Sequence, residues 1–273
     1  MFAAIDRKNT ISATHASPRL NVPFLDAFNV QHGPAGVLGR FFLTVDHRLK
    51  QQGIALEFAS FAEVSEVQRR NVANWSFMNP MFDPAMSDIP ADGALCIVGR
   101  DASGRIVGTG SGKRFDASTR TFTDIVDSGD FFAIRPADNP TGLATRIRAP
   151  IADRMRGTLG YCGGIWVHPD HRGQRLPAVF GRLVNACMVT LWNAEFVLGF
   201  VRSELKDSGY HTRYGFKHDE PSLVITQNDT TLIEAILLWM TADETAGDIA
   251  LFLEGLWSEI DATVVAGRRQ NSA

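Results

Sequence analysis

One stretch narrows the choice of folds more than any other. The run 158-TLGYCGGIWV-167 reads as a strand, 168-HPDHRGQR-175 as a polar turn, and 177-PAVFGRLVNACMVTLWNA-194 as a long apolar helix. Pro177 suits the first turn of that helix, where its missing N–H costs nothing. The apolar run 196-FVLGFV-201 then reads as a buried strand. A helix opening directly after a strand and a tight turn has the form of an anion site. Its first N–H groups lack intrahelical partners and the helix dipole is positive there. Arg172 and Arg175 would add charge-assisted hydrogen bonds to a phosphate held at this turn.

The elements around this unit are shorter. Residues 1–22 are polar and without period, and read as an arm or a disordered tail. Leu38, Phe41, Phe42, Val45 and Leu49 share one face of a predicted helix over 36–52, with Gly53 as its stop. A strand is predicted over 54–60, a helix over 61–75 and a proline-rich loop over 76–90. The clearest hairpin joins 94-ALCIVGR-100 to 105-RIVGTGSGKRF-115 through the turn 101-DASG-104. Residues 116–157 are polar, hold Pro136, Pro140 and Pro150, and read as a long connection or binding loop. A short helix is expected over 204–216 and a strand over 222–226. Two closing helices are expected over 230–244 and 247–267.

Bulk properties exclude several classes. A formal net charge of −3 and a pI near 6.2 give no reason to expect nucleic acid or an anionic membrane as partner. Cys96, Cys162 and Cys187 are odd in number and widely spaced, which suits a reducing compartment and predicts a soluble, cytoplasmic protein. No run of eighteen apolar residues predicts a membrane span. His168 and His171 fall in the polar turn without a Cys or Glu at ligand spacing, so no metal is expected. The run 108-GTGSGK-113 lacks the spacing of a phosphate loop and no helix follows it.

The segment 165-IWVHPDHRGQRLPAVFGRLV-184, taken with 210-YHTRYGFKH-218, resembles the GNAT superfamily of acyl-CoA-dependent N-acyltransferases over roughly residues 54–226. Val167, Pro169, Arg172, Gly173 and Leu176 match its strand–turn–helix motif, and Tyr214-Gly215-Phe216 matches its downstream aromatic turn. The resemblance implies an α/β (α+β) fold with a central mixed, mostly antiparallel sheet flanked by helices and with extra N- and C-terminal helices. It divides the chain into an arm and helix (1–53), an acyltransferase domain (54–226, with 116–157 inserted) and a helical extension (227–273). It implies acetyl-CoA or another acyl-CoA as co-substrate, and a small-molecule or peptide amine as acceptor.

By the same resemblance, the backbone of Ile165, Trp166 and Val167 would line the pantetheine arm. Arg172, Gly173, Gln174, Arg175, Leu176 and Pro177 would hold the phosphates. Two positions depart from the motif: Arg175 stands where a glycine is usual, and Pro177 where a glycine or alanine is. A single phosphate, as on an acyl carrier protein, would need fewer amide donors, so a carrier-protein or longer-chain acyl donor is the alternative. A noncatalytic binding or assembly module is another, with Leu237, Leu238, Trp239, Phe252, Leu256 and Trp257 either covering their own core or forming a homodimer face.

Acyl transfer to an amine makes further demands. Bringing an alkyl ammonium to its nucleophilic form at neutral pH costs about 4 kcal/mol, and the leaving thiolate benefits from an acid. By resemblance, His211 or Tyr210 is the first candidate for that acid, with Tyr214 beside them. The strand 158–167 contains no carboxylate to act as base. Tyr161, Cys162, Glu204 and the insertion's Asp124, Asp127 and Asp130 are the candidates.

Overall fold

The structure, a computed structural model, describes residues 17–75, 77–132, 134, 143–204 and 213–255. At its centre is one eight-stranded sheet, made of β1 (Ala55–Phe58), β2 (Ala94–Arg100), β3 (Ile106–Ala117), β4 (Leu143–Ile147), β5 (Gly157–Val167), β6 (Phe196–Arg202), β7 (His218–Gln227) and β8 (Thr230–Thr241). The strands lie in the order β1-β2-β3-β5-β6-β8-β7-β4. Each neighbouring pair is antiparallel except β5 and β6, which are joined through a helix and run parallel. The mixed, mostly antiparallel sheet expected from the sequence is the one that forms.

Alternation along the strands decides what each face covers. On β2, Leu95 and Ile97 enter a core shared with α1 (Ala35–Gln51) and α4 (Leu176–Trp192), while Cys96 and Val98 pack with Val64 of α2 (Phe61–Arg70). A helix over 242–255, α5, joins the first of these cores through Ile249 and Leu253. The opposite face, under β5 to β8, buries Phe122, Ile125 and Val126 of α3 (Phe122–Asp127).

The glycine run that mimics a phosphate loop has a packing role instead. Gly108, Gly110 and Gly112 alternate along β3 toward α4. A Cβ on them would meet Phe180 at 2.3 Å, Val184 at 2.9 Å and Met188 at 3.1 Å respectively. Those three side chains recur every four residues on α4, so a bare strand face receives one helical ridge.

Two expectations need correction. The segment 230–244 is not a helix: Thr230–Thr241 is β8, which lies between β6 and β7. Its apolar run is buried on both faces. Ala235 and Leu237 enter one core, and Ile236, Leu238 and Met240 the other. A strand covered on both sides loses its alternation and imitates a buried helix. Asn228 and Asp229, with φ of 47° and 63°, form the two-residue hairpin turn that starts it. The second correction concerns 116–157, which is more than a loop. It contributes α3, capped by a reciprocal Thr121–Asp124 box, and β4, which extends the sheet beyond β7.

The proposed dimer residues are largely used within the chain. Leu237 and Leu238 are buried in β8, Trp239 stacks on His218 at 4.1 Å, and Phe252 meets Phe41 and the Arg182 guanidinium. Leu256 and Trp257 lie outside the described residues. Among the described residues, no helix is long and apolar enough to cross a membrane.

Candidate active site

The parallel pair β5–β6 comes apart. Its register covers only Leu159, Gly160 and Tyr161 against Phe196, Val197 and Leu198, although β5 continues to Val167 and β6 to Arg202. Each strand is held by its other neighbour. β6 follows β8 along its whole length, from Phe196↔Thr241 to Arg202↔Ala235, while β5 follows β3 up to Gly108↔Val167. β5 also carries a bulge: Thr109 pairs with Trp166 and Ser111 with Gly163, which leaves Gly164 and Ile165 opposite Gly110 alone. Gly164 takes a left-handed φ of 60°, and its carbonyl accepts a 2.8 Å bond from the Thr109 hydroxyl. A bulge sharpens the local twist and bends its strand, so β5 turns from β6 where the register ends. At the base of the fork, Gly199 keeps the strands close, since a Cβ there would stand 3.2 Å from the Cys162 carbonyl.

Ile165, Trp166 and Val167 lie on the β5 arm of this fork. Their side chains are committed to packing. Val167 is in the α4-side core, Ile165 packs against it, and Trp166 stacks on Trp75 at 4.8 Å. The chain then passes a short 3-10 turn, Pro169–His171, and reaches exposed Arg172, Gly173, Gln174 and Arg175 before α4 begins at Leu176. Gly173 has φ +86°. Arg175, the helix N-cap, holds the left-handed conformation with φ 57°, so the turn keeps the shape a glycine would give it, at a cost of about 1–2 kcal/mol. Pro177 has no N–H, and the next amide, Ala178 N, already donates to the Arg175 carbonyl at 3.0 Å. The turn opens at the same end of β5 as the fork.

The aromatic turn closes the α4 side of the fork. The Tyr214 ring lies against Gly181 of α4, where a Cβ would stand 3.0 Å from it, and Phe216 packs over Gly199 of β6. Gly215, with φ +85°, passes close to the Arg182–Asp248 ion pair. Arg182 donates to both Asp248 oxygens at 2.7 and 3.0 Å and to the Arg213 carbonyl at 2.8 Å, which ties this turn to α4 and α5. Glu204 has a side chain 72% exposed beyond the end of β6 and lies 4.0 Å from Arg202. Tyr210 and His211 lie outside the described residues.

The other base candidates are distributed as follows. The Asp124 carboxylate accepts from the Thr121 amide in the α3 capping box, Asp130 pairs with Arg120, and Asp127 accepts from the Ile147 amide at 3.3 Å. Cys162 is turned into the α4-side core, where burial pushes its thiol up to about 12. Tyr161 lies on the opposite face among Phe82, Phe131 and Phe200. Burial raises its phenol well above the ordinary value, so it remains protonated. Its oxygen accepts a 3.3 Å bond from the Asn79 side-chain amide.

Beside Tyr161 the structure has a cavity of about 930 Å³ that bears on the fork from the side opposite α4. The loop after α2 supplies Phe77, Met78, Asn79, Pro80, Phe82 and Met86, the insertion supplies Phe131, Phe132 and Ile134, and β5 and β6 supply Tyr161, Gly164, Ile165, Trp166 and Phe200. Both the loop after α2 and the insertion therefore line it. Among its described lining residues there is no carboxylate.

Lys113 was not anticipated. It is the register partner of Tyr161 on β3, 5% exposed, with its Nζ buried, without a hydrogen-bond partner among the described residues and 5.6 Å from the Phe115 ring centre. Burial lowers its pKa. The only sign in the sequence is its place in the alternation of Ser111, Lys113 and Phe115, where a core residue is due. Because the unfolded amine binds its proton more tightly, stability rises with pH from the folded pKa up to about 10.4. Lys113→Met is expected to raise the melting temperature at pH 7 by a few degrees and to flatten that alkaline rise, both read by thermal unfolding between pH 7 and 10. A lower melting temperature would show that the ammonium has a partner.

Among the described residues, no group of three His, Cys, Asp or Glu could hold a metal ion. His168 instead caps the 3-10 turn by accepting from the Asp170 amide at 3.3 Å.

No protein-family model matches the chain, and no curated protein matches it. Several solved structures share part of the architecture. Arabidopsis thaliana NAA60 in complex with a bisubstrate analogue is 11% identical, with a TM-score of 0.42 over 69% of this chain and 97% of that one. Spermidine N-acetyltransferase from Vibrio cholerae in complex with CoA and spermine gives 12%, 0.40, 71% and 98%. Ribosomal-protein-S5-alanine acetyltransferase from Vibrio fischeri gives 12%, 0.39, 70% and 94%. Likeness at this level assigns no activity, substrate or residue to this chain.

Proposed function

We propose that the protein is an N-acyltransferase that moves an acyl group from acyl-CoA to a primary amine by direct attack. The observation that carries this reading is the fork: a parallel pair that separates after three residue pairs, with an exposed, doubly arginine-bearing turn at the open end. The unpaired edge of Cys162–Val167 can bond an extended amide-containing arm as an additional strand would. The phosphates would then reach the 172–176 turn, held by Arg172, Arg175 and the amides of Gly173, Gln174 and Leu176.

On this reading the thioester lies at the base of the fork beside Tyr161. The amine nitrogen attacks the thioester carbonyl, the C–S bond breaks, and the amide and the free thiol leave. Tyr161, held protonated by burial, donates a hydrogen bond and does not act as base. The ammonium gives one proton to water before attack, and the nitrogen of the adduct gives a second to water as Tyr210 or His211 protonates the departing thiolate; that acid then regains its proton from solvent.

Calorimetric titration of acetyl-CoA tests this directly. Arg172→Ala is expected to weaken binding about 10-fold or more, the loss of one charge-assisted hydrogen bond. Acetyl-CoA that does not bind, or that binds the variant equally well, would defeat the reading. Binding of phosphopantetheine as tight as that of coenzyme A would turn it toward a carrier-protein donor.

A further inference from the structure

The cavity behind the fork is unlike a site for a polyamine. An amine carrying several charges needs carboxylates to replace its water, because an ammonium buried without a partner is strongly disfavoured. Among the described lining residues the charged side chain is Arg202, a cation. The walls are apolar: Trp75, Met78, Phe131, Phe132 and Phe200 face one space. Phe77 and Leu232 line it while remaining 64% and 48% exposed, which is costly for large apolar side chains with nothing to cover them. Its size is that of a site for a drug-sized molecule.

Two of its polar groups meet at the fork: Tyr161, hydrogen-bonded to Asn79, lies where β5 and β6 separate. Asn74, Ser111 and Arg202 are further polar groups in walls that are otherwise apolar, a lining that suits an amphipathic occupant.

Resting on the acyltransferase reading, we propose that this cavity is the subsite for a bulky apolar group of the reacting pair and that it selects against polycationic amines. The group is either the acyl chain of the donor or the hydrocarbon or aromatic body of the acceptor.

Calorimetry on the full chain with acetyl-CoA, dodecanoyl-CoA, free dodecanoate and spermidine separates these cases, together with turnover of acetyl-CoA by phenylethylamine or spermidine. Ile233→Glu puts a charge into the cavity, and Phe77→Ala trims an exposed wall residue as a second variant that folding tolerates. If the acyl chain is the occupant, dodecanoyl-CoA binds at least 10-fold tighter than acetyl-CoA and loses that margin in both variants. If the acceptor is, the two donors bind alike, and phenylethylamine exceeds spermidine at least 10-fold in kcat/KM until either variant removes the preference. Acyl-CoA binding with neither preference, or with spermidine favoured, overturns the proposal. Dodecanoate bound in the wild type and lost in the variants, with no acyl-CoA bound, would overturn the acyltransferase reading and uphold the cavity's ligand class.

Discussion

Asp248→Ala is expected to lower the free energy of unfolding by about 3–5 kcal/mol, the cost of stranding one member of a buried ion pair. The Arg182 side chain is 9% exposed and that of Asp248 16%, and their two hydrogen bonds are in the charge-assisted range. The guanidinium lies 4.4 Å from the Phe252 ring centre, so once its partner is gone little water can reach it. Urea unfolding gives the number. A paired replacement, Arg182→Met with Asp248→Leu, should recover most of the loss, because an apolar pair leaves no charge to solvate. A single-variant loss below about 1 kcal/mol would mean that the pair is effectively wet. Arg182 also holds the Arg213 carbonyl, so the variant should loosen the aromatic turn behind the fork.

The second large effect is expected at Gly108. An alanine Cβ there would lie 2.3 Å from Phe180, a side chain with no exposed surface, so the strand and α4 must separate or the ring must leave its rotamer. Overpacking of this kind costs about 1–3 kcal/mol. Phe180→Leu should partly rescue it, with the double variant less destabilised than the sum of the two singles. Additive losses, or a neutral Gly108→Ala, would show that α4 does not seat on β3 through this contact.

How much of this was legible follows from where each signal resides. β3 and α4 could each be read, since strand alternation and helical spacing are both local, but that the glycines of one seat the ridge of the other could not. The polar turn was legible because Gly173 and the two arginines lie together in the chain. β8 was misread because burial on both faces erased its alternation, although Asn228-Asp229 was a hairpin signal in plain view. β4, an edge strand of Leu, Ala, Thr, Arg and Ile, has too little apolar pattern to separate it from a loop. The fork could not be read from the residues themselves; only the family resemblance implies that 196–201 opens opposite 165–167. It is a relation between β5, β6 and their outer neighbours, and no residue within either strand records where their pairing stops. Lys113 escaped notice for a related reason, because a lysine in a strand reads as solvent-facing until both faces are known to be covered.

The position of β8 governs the order in which the molecule can be completed. β6 and β7 leave the ribosome before the strand that joins them, so until Thr241 has emerged the sheet is two unfinished pieces, each with a bare edge. Ile236↔Val201 and Leu237↔Phe200 join segments more than thirty residues apart, and the β4–β7 pairing spans about eighty, which makes completion slow relative to a chain of hairpins. A chain ending near residue 227 would therefore not be a shorter version of this protein. It would expose the apolar edge of β6 as a template for any other strand, and aggregation would compete with folding from the moment of release.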